Sequence, residues 1–206
     1  MSTKPARRLA STSRLLDSAL HLFVSRGYRS SNLEQIAAAA RLSKGAVYFY
    51  FGSKEAVLIE LLKRVQAIVV DEALRAAGAA GPRTADRLVA FLHHQAKLGV
   101  THRDEILLLI LMSLEFGGRR GAAGRFIGRI YRRLYVFVER IIKEGVARGE
   151  VRADLSPREL ASIVMAIHDG TFLEWHRRPG ALRGPALVRA LREVVLSGVS
   201  ERGRRK

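Results

Sequence analysis

Apolar residues recur along this chain with the period of a helix. Leu16, Ala19, Leu20, Phe23 and Val24 fall at i, i+3, i+4, i+7 and i+8, the single stripe of an amphipathic helix. Gly27 closes that helix, because glycine enters the left-handed turn that ends many helices without steric cost. Asn32 opens a short second helix, with Gln35 three residues on to complete a capping box. Its inner face is Leu33, Ile36, Ala37 and Ala40, and it stops around Arg41-Leu42. Ser43 caps a helix over Lys44–Phe51, and Ser53 caps one that begins Lys54-Glu55 and runs to about Ala77. Alternating β-branched runs and Asn-Gly or Asp-Gly turns are missing, so no strands are expected.

After the break Gly78-Ala79-Ala80-Gly81-Pro82 the helices lengthen, to 84–101, 104–116, 122–148, 157–177 and 185–199. The stretch Ile106 to Met112 is apolar on every side, which predicts a central helix buried all round. The fold class is therefore all-α: an N-terminal three-helix helix-turn-helix domain over 1–54, then a larger C-terminal helical domain over 55–206 for ligand binding and dimerisation.

Charge narrows the function. The 206 residues carry 36 Lys and Arg against 19 Asp and Glu, a net charge of +17. Residues 1–54 concentrate the excess, with nine basic residues and two acids, Asp17 and Glu34. Such a balance points to nucleic acid, with an anionic membrane surface as the rival. No apolar run reaches the roughly 18 residues of a membrane span. The basic leader has no apolar segment or cleavage site after it, so a cytoplasmic protein without membrane attachment is expected. Arg7, Arg8 and Arg14 read equally as a DNA arm or a solvated leader.

An enzyme is disfavoured. The chain has no Cys, its six His form no HExxH spacing, and GxSxG, Walker A and GxGxxG signatures are missing. His93 and His94 point about 100° apart on a helix, and His168 and Asp169, as neighbours, are not expected to face one another. Neither a metal nor a cofactor is expected.

The helix over Lys44–Phe51 would lie in the major groove with its first residues at base edges. Lys44 brings a mobile charge, Gly45 and Ala46 let the backbone approach the duplex, and Tyr48 and Tyr50 can donate to phosphates. Lys54 stands at the next helix start, where a phosphate is favoured. Tyr28, Val47 and Phe51 read as core.

Gly27-Tyr28, Ser31-Asn32-Leu33-Glu34-Gln35-Ile36-Ala37 and the run Leu42 to Glu55 together resemble, over residues 11–62, the DNA-binding domain of the TetR family of bacterial transcriptional repressors. The remainder resembles the family in length and helicity, with Gly149-Glu150, Asp154-Leu155-Ser156-Pro157 and Asp169-Gly170. The resemblance implies a homodimer, a double-stranded DNA operator and a small-molecule inducer of unknown identity. It singles out Ser31, Arg41, Ser43, Lys44, Gly45, Ala46, Tyr48, Phe49, Tyr50 and Lys54 for DNA binding. A basic architectural DNA-binding protein without ligand control is the alternative.

This chain departs from the family pattern at three places. Arg41 stands where glycine is common, Ala46 where threonine is common, and Phe49 where a polar residue is usual. A positive φ at Arg41 would cost about 1 kcal/mol, and Phe49 would read thymine methyls or shape.

Two further surfaces are expected. A ligand pocket would draw on Phe91, Gln95, Leu108, Met112, Phe116, Tyr131, Tyr135, Met165, His168 and Phe172. A four-helix bundle between subunits would use Leu160, Ile163, Val164, Ile167, Leu187, Val188, Leu191, Val194 and Val195. Arg119, Arg120, Arg125, Arg129, Arg132 and Arg133 gather without one acid among them and read as a solvated face or an anion site, for example for an acyl-CoA.

Overall fold

Helices account for nearly all of the chain in a computed structural model that describes residues 4–201. They are α1 (Lys4–Arg26), α2 (Leu33–Ala39), α3 (Lys44–Phe51), α4 (Lys54–Val65), α5 (Glu72–Ala79), α6 (Thr84–Thr101), α7 (Arg103–Phe116), α8 (Ala122–Ala147), α9 (Pro157–Arg177) and α10 (Gly184–Val199). Among the described residues, the β-type pairing is one isolated antiparallel bridge, Val151 with Ser200. The residues gather into two compact units: those up to Ile68 together with His102–Arg129, and Val69–Thr101 together with those from Ile130 onward. This grouping follows packing. A boundary at 54/55 would divide DNA reading from the rest of the chain, and the grouping neither uses nor replaces it.

In the first unit α1 packs against α2, α4 and α7, and α2 packs against α3. Leu15, Ala19, Phe23, Ile36, Val47, Val57, Leu58, Leu61 and Leu108 are fully buried there. Burial of each large side chain contributes about 1.5–3 kcal/mol, which holds three short helices that would not persist alone. Side chains also satisfy the helix starts. Asn32 and Gln35 form the reciprocal capping box, and Ser43 and Ser53 accept from the Ala46 and Ala56 N–H groups.

In the second unit α6 packs against α5, α9 and α10, around Leu88, Phe91, Leu92, Ile141, Val164 and Val195. Gly145 is required there by close approach. A Cβ at that position would collide with the Thr84 hydroxyl and a Val151 methyl. Beside it Glu150 accepts from the Thr84 N–H at 2.7 Å and from the Arg148 Nε at 2.8 Å.

The structure corrects two expectations about helices. The helix from Ser53 is interrupted by a π segment, Gln66–Asp71, before α5. A wider turn takes carbonyls out of the α ladder, and Gln95 donates its Nε2 to the Val69 carbonyl at 3.1 Å. The segment between Ile106 and Met112 is buried, apart from a half-buried Leu111. Leu114, one turn further, is exposed, so α7 is not buried along its whole length.

Candidate nucleic-acid interface

The turn before α3 is built from backbone bonds and one strained residue. The Leu42 N–H donates to Ala37 at 3.0 Å and the Arg41 N–H to Ala38 at 3.0 Å. Arg41 has φ +54°, the left-handed conformation expected from its place in the turn, and is the one non-glycine residue with positive φ among the described residues. Such a conformation costs an L residue about 1 kcal/mol. It leaves the Arg41 side chain exposed beside the start of α3.

Helix α3 divides cleanly by face. Val47 is fully buried, whereas Lys44, Gly45, Tyr48 and Phe49 are exposed. Positions 44, 45, 48 and 49 lie on one side of a helix. Phe49 is 77% exposed, a large apolar surface that nothing in the chain covers, and its ring meets Tyr50 edge-on at 5.3 Å. Ala46 and Tyr50 are half-buried, and a Cβ at Gly45 would find only the Ser43 hydroxyl, at 3.9 Å. The Ser43 hydroxyl itself accepts the Ala46 N–H at 3.2 Å.

Two charged side chains of this surface already have partners. Lys44 pairs with Glu34 at 2.5 Å. The hydrogen bond between them lowers the Glu34 pKa and raises that of Lys44. Lys54, expected to meet a phosphate, donates to the carbonyls of Tyr28 and Ser31 at 2.9 and 2.7 Å. Ser31 is buried. Its hydroxyl donates to the Gly27 carbonyl at 2.9 Å, so its side chain holds the turn before α2.

Sequence reasoning missed how the rest of the first unit braces these helices. The Tyr28 ring packs on Phe23 and on Phe116, each with centroids 5.1 Å apart. Burial pushes the Tyr28 pKa up, helped by Glu55 and Glu115. Arg29 pairs with Glu115 at 2.5 Å, and Glu55 accepts the Ala123 N–H at 3.0 Å. These partners lie 68 to 88 positions apart in the chain, and no local pattern signals them.

The expected pocket residues fall in both units. Leu108, Met112 and Phe116 belong to the first; Phe91, Gln95, Tyr131, Tyr135, Met165, His168 and Phe172 belong to the second. In the second unit the Gln95 Oε1 is buried without a hydrogen-bond partner. His168 Nδ1 lies 2.9 Å from Asp169, which corrects the expectation that these neighbours do not meet, and its ring packs on Phe91. Burial raises the Tyr135 pKa, with Asp169 adding to it. A groove of about 350 Å³ is lined by Asp71, Leu74, Arg75, Gly78, Arg133, Phe137 and Arg140. Of the nine expected bundle residues, Leu160, Val164, Leu191 and Val195 are buried within the chain, Ile167, Leu187 and Val188 are half-buried, and Ile163 and Val194 are exposed.

A helix-turn-helix with an exposed second helix, followed by a larger helical region, defines a DNA-binding regulator. Residues 15–61 match bacterial regulatory proteins of the tetR family, and residues 84–199 match the C-terminal part of BetI-type transcriptional repressors. The chain is 45% identical to the MbdR regulator from Azoarcus sp. CIB, over 91% of this chain and 98% of that one, with a TM-score of 0.82. It is 24% identical to the fatty acid metabolism regulator protein of Bacillus subtilis, over 90% of this chain and 93% of the relative. The structure of the transcriptional regulator FadR from Bacillus subtilis in complex with stearoyl-CoA shares the fold, with 22% identity, a TM-score of 0.75, and coverage of 90% of this chain and 98% of that one. The chain belongs to the TetR family of transcriptional regulators; it binds DNA and is not an enzyme. No helix among the described residues is long and apolar enough to cross a membrane.

Proposed function

We propose that this regulator is a homodimeric repressor that reads a palindromic operator with two copies of α3 and is released by a coenzyme A thioester. One observation carries the DNA part: Lys44, Tyr48 and Phe49 project from the face of α3 opposite the buried Val47. On a dimer these faces enter successive major grooves about 34–36 Å apart. Phe49 meets thymine methyls. Lys44, Tyr48 and Arg41 take phosphates, and Tyr50 takes one at the edge of the face. Gly45 and Ala46 keep the backbone close to the duplex. Ser31, Ser43 and Lys54 hold the helix starts and turns from which these groups project.

The ligand class is supported by the groove at Arg75, Arg133 and Arg140. Guanidinium groups suit phosphate, and Phe137 offers a ring beside them. The apolar surfaces of Phe91, Met165 and Phe172 suit an acyl group. The same fold holds stearoyl-CoA in the Bacillus subtilis regulator. Release requires that the ligand bind better to the form that cannot span both half-sites.

Selection of genomic fragments by the purified protein, with and without CoA thioesters of graded chain length, tests this reading. An inverted repeat should be enriched at least about 10³-fold over random DNA, and one thioester should abolish the enrichment. Enrichment of basic-protein type, without any repeat, would favour the architectural alternative. Titration calorimetry without heat for every thioester would remove the ligand class.

A further inference from the structure

Arg119, Arg120 and Arg125 have no role in the reading of the operator by α3, yet they sit in the same compact unit as that helix. Their place is fixed by the corner between α7 and α8. Gly118 and Gly121 turn the chain with φ of +72° and +141°. The Arg119 N–H donates to Phe116 at 3.0 Å and the Arg125 N–H to Gly121 at 3.2 Å. A side chain at Gly124 would strike the Arg119 and Phe116 carbonyls.

The corner is fastened to the helix-turn-helix at three points. Phe116 packs on Tyr28, Glu115 pairs with Arg29, and the Ala123 N–H reaches Glu55. Tyr28 and Arg29 lie in the turn that leads into α2, and Glu55 lies in the first turn of α4, directly after α3 ends. The corner therefore stands beside the two helix starts that flank the reading helix.

The charge there is uncompensated. Arg119, Arg120 and Arg125 are exposed, and none takes part in an ion pair, whereas Arg29 and Arg64 in the same unit are each held by a carboxylate. The nearby carboxylates, Glu115 and Glu55, are engaged by Arg29 and by the Ala123 N–H. Three separate guanidiniums on an open corner suit an extended anion better than a compact one. A DNA strand presents one phosphate per about 3.4 Å of axis.

We propose that Arg119, Arg120 and Arg125 form a second, sequence-independent DNA contact, taking backbone phosphates that flank the half-site read by α3. The proposal rests on the DNA-binding assignment and extends the footprint beyond the helix-turn-helix. Each phosphate neutralised releases counterions, so each adds about 0.9 to the slope of log affinity against log salt.

The test is fluorescence anisotropy of the full chain on a random duplex of about 40 base pairs, longer than two half-sites one turn apart, between about 50 and 200 mM salt. The triple variant Arg119→Ala/Arg120→Ala/Arg125→Ala should lower the slope by about 2–3. Lysine at all three positions should restore it, because charge does the work. Circular dichroism reports whether the alanine triple is folded; if it is not, the three single alanine variants replace it, each expected to lower the slope by about 0.9. A folded variant with the wild-type slope, or failure of lysine to restore it, overturns the proposal. Failure of the wild-type chain to bind the duplex at about 50 mM salt would strike the DNA-binding assignment instead.

Discussion

The Lys54 ammonium lies 4.3 Å from the centre of the Tyr28 ring and donates to the Tyr28 carbonyl at 2.9 Å. A second bond, to the Ser31 carbonyl at 2.7 Å, ties the same group to the residue before Asn32. The first residue of α4 thereby fixes the turn from which α2 departs, and α2 carries α3. Burial lowers the Lys54 pKa, while Glu115 acts in the opposite direction. The lysine is a positioning residue for the reading helix.

Lys54→Met should leave those carbonyls without their charged donor and destabilise the first unit by about 1–3 kcal/mol. Urea denaturation followed by circular dichroism measures it. The salt slope of DNA binding should stay within about 0.3 of the wild type, since one lost phosphate contact would change it by about 0.9. Unchanged stability with a slope lower by about 0.9 would instead make Lys54 a phosphate ligand.

Lys44 must leave Glu34 to reach a phosphate, because the two groups are 2.5 Å apart in the free protein. Glu34→Gln removes that competitor and should tighten DNA binding, while Lys44→Ala should weaken it and lower the salt slope by about one. Anisotropy titrations of the two variants separate these effects. Equal affinity for Glu34→Gln and wild type would mean that the pair does not compete with DNA.

The helices and their caps were legible because they depend on residues near in sequence. Asn32 with Gln35, Ser43 and Ser53 each cap as their spacing predicts, and the left-handed turn at Arg41 follows from where the turn falls. The exposed face of α3 was legible too, since Val47 alone marks its inner side. Lys54 was not, because its acceptors are carbonyls of residues 23 to 26 positions earlier and carry no side-chain signature. The π segment at Gln66–Asp71 was hidden for a similar reason: the Val69 carbonyl is answered by Gln95, a partner on another helix. An apolar run predicted burial for α7, but only packing decides that Leu114 faces outward.

Glu150 gives acid sensitivity to the second unit. Bonds from the Arg148 guanidinium, then from Thr84, hold its pKa at about 2, against an ordinary 4.5. A carboxylate depressed in the folded state stabilises above its unfolded pKa, and that contribution is lost as the pH falls through the folded one. The loss should therefore run from about pH 4.5 down to about pH 2. In Glu150→Gln the unfolding free energy should depend less on pH across that window, as read from urea midpoints at several pH values. A variant with the wild-type pH dependence would show that Glu150 is not the responsible group.

The proposed subunit interface is best probed where the chain leaves apolar side chains uncovered. Ile163 on α9 is 57% exposed and Val194 on α10 is 59% exposed, whereas Leu191 is 7% exposed. Helices α9 and α10 pack on one another, with Leu160, Val164, Leu191 and Val195 turned inward. Leu191→Asp would bury a charge within its own chain and should cost a few kcal/mol, about what a partly unfolded second unit requires. It is a test of the core. Ile163→Asp/Val194→Asp puts charges only on the outer faces, so the isolated chain should keep its helicity. In a bundle across a two-fold axis the same patch meets its own copy, and four carboxylates brought together repel while losing apolar contact. The double variant should sediment as a folded monomer in analytical ultracentrifugation, and it should lose preference for an inverted repeat while keeping non-specific binding to DNA. A double variant that remains a dimer would place the interface elsewhere on the chain.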